Sequence, residues 1–385
     1  MPLAKCLNFS DFRHLAKRRL PAPLFHYIDG GADDEVALRR NTAAFDDYEL
    51  MPRQLTDVST IDTRTQIFGK TIAWPVLLSP TAMSRLFHHQ KELAVARAAA
   101  NMGTLYSLST LATTSLEEVA AASAGPKMFQ IYVLKDRGFV NALVARCKAA
   151  KYDALCVTVD TPLAGNRERD HIHGMTLPPK FGLADLASFA LHPAWSLNFI
   201  RDPDFRVANV AEMGDAKSMG GMGLIQYVNA QIDRTATWDD IARLIELWKG
   251  PFAIKGLQSA ADARMAQQVG ATAIMISNHG GRQLDGAPAP VDCIAPMRDA
   301  IGNTLEIICD GGIRRGTHVL KALALGANAC SIGRPYLFGL AGGGQAGVEH
   351  VLSRLRGEIE LDMTLMGCRR IADLDNTFLA KRREP

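Results

Sequence analysis

The chain lacks the features that would assign it to several common classes of protein. Its seven cysteines are odd in number and form no C-x-x-C pair, so neither a disulfide framework nor a metal site is expected, and a reducing compartment is favoured. No stretch of about 18 uninterrupted apolar residues occurs, so we expect no membrane-spanning helix. The first twenty residues contain no secretory signal. With 43 basic and 40 acidic residues, the net charge of +3 is too small to indicate a nucleic-acid-binding protein. These absences predict a cytoplasmic globular protein.

From residue 74 onward the sequence contains one pattern eight times. A short apolar run is followed each time by a longer segment with helical spacing. Eight units with near-continuous apolar strands favour an α/β fold closed into a TIM (β/α)8 barrel, and an open doubly wound sheet is the alternative. The predicted strands are Trp74–Pro80, Gly103–Ser109, Lys127–Val133, Asp153–Val159, Pro251–Gly256, Ala271–Ser277, Leu305–Asp310 and Ala327–Gly333.

Two regions interrupt this repeat within a chain that we interpret as a single domain, 1–385. Residues 1–73 predict an N-terminal helical cap, with helices over Phe9–Leu20 and Asp33–Phe45. The barrel is predicted over 74–340, with a long insertion at about 165–237 after strand 4, and C-terminal helices over 341–385. An insertion of this length on a barrel usually serves function or contacts a partner.

Glycines and arginines follow the last two predicted strands, at the barrel end where active sites lie. They are Gly311, Gly312 and Arg314 after strand 7, and Gly333 and Arg334 after strand 8. Glycine allows the backbone to approach a phosphate closely, and arginine supplies positive charge. The pattern predicts a phosphate site, and the alternative is a tight turn with surface arginines.

Titratable side chains lie at the ends of three other predicted strands. Lys255 could form a Schiff base, could place its charge beside an anionic cofactor, or could simply reach solvent. His279, with Asp160 as an orienting carboxylate and Arg282 as an anion clamp, predicts a general base. The alternative for His279 is a structural histidine with an ordinary hydrogen-bond partner.

These residues lie in motifs that resemble one known family. In order, and over nearly the whole chain, the motifs are similar to those of the FMN-dependent α-hydroxy acid dehydrogenases and oxidases, which include L-lactate dehydrogenase, mandelate dehydrogenase and glycolate oxidase. The resemblance is most detailed to the bacterial L-lactate dehydrogenases. The motifs are Tyr27–Ala32, Pro80–Met83, Gln130–Tyr132, Thr158–Pro162, Arg167, Lys255–Gly256, Ser277–Asp285, Asp310–Gly316 and Ile332–Pro335.

The resemblance implies FMN as the cofactor, and it replaces the Schiff-base interpretation of Lys255 with charge neutralisation at the reduced flavin. A G-x-G-x-x-G match at Gly342–Gly347 lies outside a βαβ unit, so we expect no nicotinamide cofactor. The residues implied to hold FMN are Pro80, Thr81, Ala82, Ser109, Gln130, Tyr132, Thr158, Lys255, Ser277, Asp310, Gly311, Gly312, Arg314, Gly333 and Arg334.

The resemblance also implies a reaction, the oxidation of an L-2-hydroxy acid to the 2-oxo acid. His279 would be the base, Asp160 would stabilise its imidazolium, and Tyr132 would hydrogen-bond the substrate hydroxyl. Whether His279 removes the α-proton or the hydroxyl proton is left open. The residues implied to bind substrate are Tyr27, Tyr132, Arg167, His279 and Arg282.

The resemblance places Leu111, with Met83, near the substrate side chain, where glycolate oxidase has a bulkier aromatic residue. Lactate is therefore the first choice, with a mandelate-type substrate as the alternative. The apolar segment 181–200, with its tryptophan, predicts peripheral contact with the inner face of the plasma membrane and electron transfer to quinone or a cytochrome. The alternatives are that this segment packs against the barrel or a neighbouring subunit, and that the protein is a soluble oxidase that uses oxygen and makes peroxide. A homotetramer is also implied.

Overall fold

The computed structural model describes residues 2–176, 179–203, 205–211 and 221–382, with the backbone alone at 221, 222 and 224. Three α-helices of the described chain precede the barrel: α1 (Phe9–Arg19), α2 (Ala22–Asp29) and α3 (Val36–Ala43). Helix α1 confirms the prediction and begins after Asn8, whose side chain accepts a hydrogen bond from the Asp11 amide. Three short strands follow: β1 (Tyr48–Leu50), β2 (Thr65–Ile67) and β3 (Lys70–Ile72).

The second predicted N-terminal helix begins three residues later than expected. Asp33 and Glu35 have positive φ angles of 44° and 59°, which a right-handed helix does not allow. The turn that they form is held by long-range and local contacts: the Asp33 amide donates to the Asn166 carbonyl at 2.8 Å, and the Gly31 amide donates to Glu35 Oε1 at 2.9 Å. Helical spacing alone therefore overestimated the length of α3.

Eight parallel strands close into a barrel, which confirms the predicted fold and excludes the open sheet. The last strand pairs with the first, as Ser331 lies opposite Leu77. Each strand lies within its predicted span or extends one residue beyond it. The strands are β4 (Val76–Leu78), β5 (Tyr106–Ser109), β6 (Lys127–Tyr132), β7 (Ala154–Thr158), β8 (Phe252–Leu257), β9 (Ala273–Ile276), β10 (Glu306–Asp310) and β11 (Ala329–Ile332).

Helices surround the barrel and begin at the capping residues that the sequence offers. Ser115 and Glu118 form a reciprocal capping box, and Ser259 accepts from the Asp262 amide. Helices α7 to α10 lie in the part of the insertion that the structure describes. In chain order the helices are α4 (Lys91–Asn101), α5 (Leu116–Ala122), α6 (Arg137–Ala149), α7 (Glu168–Ile172), α8 (Leu183–Ala190), α9 (Pro193–Arg201), α10 (Gly221–Gln231), α11 (Trp238–Trp248), α12 (Ala260–Gln268), α13 (Pro290–Ile301), α14 (Gly316–Ala324) and α15 (Arg334–Leu365).

The C-terminal region is helical only in part. Helix α15 is kinked at Gly343 and Gly344, and it ends at Leu365. The chain then forms β12 (Leu379–Lys381), which pairs antiparallel with β1 because the buried Phe378 anchors it against the core.

Several predicted features fall partly outside the described residues. Positions 212–220 of the insertion and the last three residues are among them. Within the described ranges, no helix is both long enough and apolar enough to cross a bilayer. All seven cysteines are free and buried.

Candidate active site

The carboxyl ends of the barrel strands open into one cavity of about 660 Å³. All the predicted site residues line it except Asp160 and Ser277, and these two contact lining residues directly. The insertion covers the cavity with Ile225 and Asn229 of α10 and with Ile232 just beyond that helix. The sequence predicted a functional insertion but did not identify these three residues.

His279 and Asp160 form a close pair at the ends of β9 and β7. His279 Nδ1 lies 2.9 Å from Asp160 Oδ1. Burial raises the pKa of Asp160, but His279 and Lys255 outweigh this effect and hold it below its ordinary value. Burial lowers the pKa of His279 below its ordinary value of 6.5, although Asp160 opposes the shift. A neutral imidazole beside an ionised carboxylate is the arrangement that a general base requires.

The backbone that carries His279 is strained. Its φ of 57° lies in the left-handed region, which is unusual for a residue with a Cβ, and Gly280 and Gly281 continue the turn with φ of 67° and 73°. The His279 amide donates to Ser277 Oγ at 3.0 Å. Strain of this kind persists only where neighbouring contacts enforce it, and it is concentrated at functional sites.

A buried pair of amide side chains, those of Asn278 and Asn41, helps to hold the backbone turn at His279. Asn278 Nδ2 donates to Asn41 Oδ1 at 2.6 Å, and Asn41 Nδ2 donates back to Asn278 Oδ1 at 2.8 Å. The same Asn278 oxygen accepts from the Gly281 amide at 3.0 Å. Sequence reasoning missed Asn41, because its partner lies 237 residues away and no local motif marks it.

Lys255 lies at the centre of a buried polar network. Its Nζ is 2.8 Å from both Asp310 Oδ2 and Ser277 Oγ, and Ser79 donates to the other oxygen of Asp310. Burial lowers the pKa of Lys255, but Asp310 and Asp160 outweigh it and raise the pKa above its ordinary value. A firmly protonated amine is a poor nucleophile, so the geometry favours the charge role over a Schiff base.

Two guanidinium groups lie side by side at the cavity edge. Arg282 donates to the carbonyls of Tyr27 and Gly30 at 2.5 and 3.0 Å, and Arg167 Nε donates to the Arg282 carbonyl at 3.3 Å. Burial, together with the charge of Arg167, lowers the pKa of Arg282 to about 10. With a pKa of about 10, Arg282 stays charged near neutral pH. Two guanidinium groups at one edge make an anionic ligand favourable there.

The loops after β10 and β11 fit a phosphate. Gly311 and Gly312 have φ of 137° and 78°, and a Cβ at Gly312 would lie 1.8 Å from the Asn41 carbonyl oxygen. Burial lowers the pKa of Arg314 to about 10, and in the described chain Arg314 forms no salt bridge. Arg334 differs, because its guanidinium donates at 2.8 Å to each of three carbonyls, those of Ile28, Gly30 and Gly280.

The strand ends between these groups present polar side chains to the cavity. Ser109 Oγ donates to Gln130 Oε1 at 3.2 Å, which orients the amide of Gln130. Burial, followed by the charge of Asp160, raises the pKa of Tyr132 to about 12, so its phenol is protonated and can donate. Together with the glycine loops and Lys255, this set of donors fits FMN. Across the described residues, no group of three or more His, Cys, Asp or Glu side chains is arranged to hold a metal ion.

Comparison with known proteins gives a consistent result over almost the full length. A family model described as FMN-dependent dehydrogenase matches residues 16–381. The chain is 44% identical to an L-lactate oxidase of Nostoc sp. over 377 residues, which cover 97% of this chain and 98% of that protein. It is 41% identical to an L-lactate dehydrogenase of Caulobacter vibrioides over 374 residues, which cover 97% of each. Among solved structures, a monotopic membrane protein, (S)-mandelate dehydrogenase, superposes with a TM-score of 0.94 at 33% identity, covering 98% of this chain and 100% of that one.

Proposed function

The chain belongs to the FMN-dependent dehydrogenase family, and from that premise we propose that it oxidises a small aliphatic L-2-hydroxy acid, with L-lactate preferred, to the 2-oxo acid. One observation carries the proposal. His279, which is paired with Asp160, lines the same cavity as Arg167 and Arg282. Removal of a proton from a hydroxy acid needs a base and a cationic group that binds the substrate carboxylate, and this cavity offers both.

His279 takes the proton from the substrate. Because the Asp160 carboxylate can only accept a hydrogen bond, Nδ1 of His279 carries the ring proton and Nε2 is left with its lone pair. When Nε2 gains a proton the imidazole becomes cationic, and the negative charge of Asp160 stabilises it at 2.9 Å. The depressed pKa of His279 keeps this base unprotonated near neutral pH.

The remaining side chains hold the substrate. Arg282 and Arg167 would bind the carboxylate, since a planar guanidinium can contact both oxygens of the anion. Tyr27 lies against Arg282, whose Cζ is 5.0 Å from the centre of its ring. The protonated phenol of Tyr132 would donate to the substrate oxygen. This arrangement fixes the substrate carbon between its anion clamp and the base.

FMN, when bound, accepts the two electrons that leave the substrate. Lys255 would stabilise the negative charge that reduction of the flavin creates, because Asp310 and Asp160 raise the pKa of its buried ammonium and favour its charged form. The Gly311–Gly312 backbone and Arg314 would bind the cofactor phosphate.

Substrate preference is proposed from the apolar side of the cavity. Leu111 and Met83 both line it, and the Met83 amide donates to the Leu111 carbonyl at 3.1 Å, which ties the two loops together. An apolar pocket separates substrates that differ by one methylene by only about 1–3 kcal/mol. We therefore expect kcat/KM to be highest for L-lactate, with glycolate and L-2-hydroxybutyrate within about 10- to 200-fold. A higher kcat/KM for L-mandelate would contradict this ranking.

Transfer of electrons to quinone at a membrane is the second part of the proposal. Helices α8 and α9, with the Leu191 that joins them, carry apolar side chains that are largely exposed: Leu183 at 87%, Leu186 at 52%, Leu191 at 78%, Leu197 at 60% and Ile200 at 71%. Contiguous apolar exposure of this kind is typical of a membrane or protein contact. The solved mandelate dehydrogenase named above, a monotopic membrane protein, supports the same interpretation.

The contacts of the tryptophan in this segment support the alternative that part of the segment packs against the barrel. Trp195 donates its Nε1–H to the Leu86 carbonyl at 2.7 Å, and its ring packs against Phe189 and Phe199 at 5.2 and 5.4 Å. The aromatic side of the segment therefore contacts the barrel, and the leucine side is the one that a bilayer could meet. The aromatic side thus supports packing against the barrel, and the exposed leucine side supports contact with a membrane.

The test of the second part is binding to liposomes and re-oxidation of the reduced flavin by a quinone and by oxygen. We expect liposome binding that is lost when Leu183, Leu191 and Ile200 are replaced by serine, and faster re-oxidation by quinone than by oxygen. A soluble oxidase is the competing candidate, supported by the similarity to an L-lactate oxidase. Fast peroxide formation without liposome binding would establish it instead. The homotetramer stays a prediction, which light scattering would test.

A further inference from the structure

A second cavity, of about 370 Å³, adjoins the catalytic cavity on the side of the insertion. Its walls include Arg19 at the end of α1, the loop Phe87–Gln90 after β4, Trp195 and Arg201 on α9, and the kink of α15 at Gly343. We refer to it as the side cavity. None of the residues assigned to FMN, substrate or proton transfer lines it.

Phe87 is the wall that the two cavities share. Its side chain is buried and lines both of them. On the catalytic side its ring stacks with Tyr27, with ring centres 6.5 Å apart and planes inclined by 22°. A molecule in the side cavity would therefore be separated from the substrate site by one aromatic side chain.

The walls of the side cavity suit a flat ring that carries oxygen acceptors. The rings of His88 and His89 stack at 4.4 Å, and His89 is held by a hydrogen bond to Asn198. Burial, with His89 and the nearby arginines, lowers the pKa of His88 to about 4, so its imidazole is neutral and has an N–H to donate. The indole of Trp195 is fixed by its bond to the Leu86 carbonyl and offers an aromatic surface.

The charge around the side cavity favours a ligand that becomes electron-rich. No aspartate or glutamate lines it, and the described residues include no salt bridge to Arg19 or Arg201. The neighbouring carboxylate, Asp202, is paired with Lys91 at 2.6 Å. Positive charge beside the cavity stabilises electron density that arrives on the oxygen atoms of a bound ring.

The mouth of the side cavity lies next to the exposed apolar surface of the insertion. On α9, Arg201 lines the cavity, and Leu197, one turn before it on the same face, is 60% exposed. Ile200 and Leu191 extend this apolar surface. A ligand with a polar ring and a long hydrocarbon tail could place its ring in the side cavity and its tail along these residues or in a bilayer.

We propose that the side cavity binds the ring of an isoprenoid quinone, as the site at which electrons leave the protein. The inference rests on the proposed transfer of electrons to quinone. In the reaction, the two C=O groups of the quinone become C–OH groups by gaining two electrons and two protons. Bound FMN in its reduced, anionic form would supply the two electrons and one of the protons, and the second proton would be the one that His279 took from the hydroxy acid and released to solvent. Oxidation of the hydroxy acid and reduction of the quinone would thus use two separate pockets.

The test fills the side cavity and measures the two half-reactions separately in the holoenzyme. Ala194, on α9, lines the cavity, so the phenyl ring of Ala194→Phe should fill it. The matched control is Ala190→Phe, which places the same side chain on the exposed surface of α8. The probe is a benzoquinone with one isoprene unit. In Ala194→Phe we expect reduction of the flavin by L-lactate to stay within twofold of the wild type, and re-oxidation by the quinone to slow at least tenfold. Re-oxidation by oxygen should not change.

The possible outcomes distinguish an error in the location of the quinone site from an error in the proposed function. If the quinone re-oxidises the wild type, Ala194→Phe and Ala190→Phe at equal rates, the side cavity is not the quinone site and the proposed function stands. If the quinone fails to re-oxidise even the wild type, the proposed acceptor is wrong and the inference falls with it. If Ala194→Phe does not retain FMN, Arg201→Glu at the exposed rim is measured instead. A rise in quinone KM of at least threefold is then expected, and an unchanged KM would overturn the inference.

Binding also has a readout that does not depend on turnover. Quinones quench indole fluorescence, and Trp195 lines the side cavity. We expect the short-tailed quinone to quench the protein fluorescence in a saturable way, and Trp195→Phe to abolish the saturable part. Saturable quenching that is unchanged in Trp195→Phe would place the quinone elsewhere.

Discussion

Replacing Asp160 with asparagine should slow reduction of the flavin while leaving FMN and substrate bound. The carboxylate lies 2.9 Å from His279 Nδ1, and the two side chains are only 10% and 25% exposed, so solvent screens the pair weakly. A hydrogen bond to a charged group contributes about 1.5–3 kcal/mol. If that stabilisation is gained mainly as the imidazolium forms, its loss in Asp160→Asn should slow reduction of the flavin by about 10- to 150-fold.

The same substitution should shift the pH dependence in a defined direction. The base works only when it is unprotonated, so kcat/KM falls as the pH drops through the pKa of His279. Asp160 raises that pKa, while burial lowers it and dominates. Removing the carboxylate should therefore lower the pKa of His279 further, and the acid limb of the profile should move to lower pH.

The assay is anaerobic stopped-flow reduction by L-lactate across a pH series. Asp292→Asn is the matched control, because it removes a carboxylate that pairs with Arg40 on the surface, away from the catalytic cavity. A reduction rate for Asp160→Asn within twofold of the wild type, or an acid limb that moves to higher pH, would refute the electrostatic role given to Asp160.

Three further substitutions test other parts of the site. His279→Ala should retain FMN and reduce it about 10²- to 10⁴-fold more slowly, measured by the same rapid mixing; reduction at the wild-type rate would remove His279 as the base. Arg282→Lys should raise the Kd for L-lactate much more than it changes the rate at saturation, because an ammonium cannot make the two-point contact, and an unchanged Kd would contradict the clamp. Gly312→Ala should lose FMN and cost at least about 1–3 kcal/mol in a denaturant titration, because its Cβ would meet the Asn41 carbonyl; Gly286→Ala, at φ of 80° with open space around it, should cost less, and equal losses would exclude the steric cause.

The barrel could be predicted because its strands carry a strong local pattern. Parallel strands covered on both faces read as continuous apolar runs, as in Ala154–Thr158 and Ala273–Ile276, where every residue is buried. Capping pairs such as Ser115 with Glu118 are equally local, since both hydrogen bonds form within four residues. Patterns of this kind depend little on the rest of the fold.

Most of the site could be placed because a barrel brings all its strand ends to one rim. Lys255 lies near the end of β8, and His279 and Arg314 follow β9 and β10, yet all three line one cavity. The roles of these residues rest on family resemblance together with this geometry, and the substitutions above are what tests them.

What the sequence did not predict depends on contacts between distant parts of the chain. The late start of α3 follows from turn residues held partly by Asn166, and the support of the His279 loop comes from Asn41. The inward orientation of Trp195 is set by the Leu86 carbonyl, 109 residues earlier. The shared position of Phe87 between two cavities has no sequence pattern at all, because it arises only when the insertion packs beside the barrel.

The most direct test of the proposed activity is anaerobic mixing of the FMN-loaded protein with excess L-lactate, followed by the flavin absorbance and by analysis of the product. We expect that the yellow absorbance of oxidised FMN is lost and that one pyruvate forms for each flavin reduced, whereas D-lactate leaves the absorbance unchanged. Flavin that stays oxidised with L-lactate, glycolate and L-2-hydroxybutyrate, or that is reduced by D-lactate alone, would contradict the assignment of this cavity to L-2-hydroxy acid oxidation.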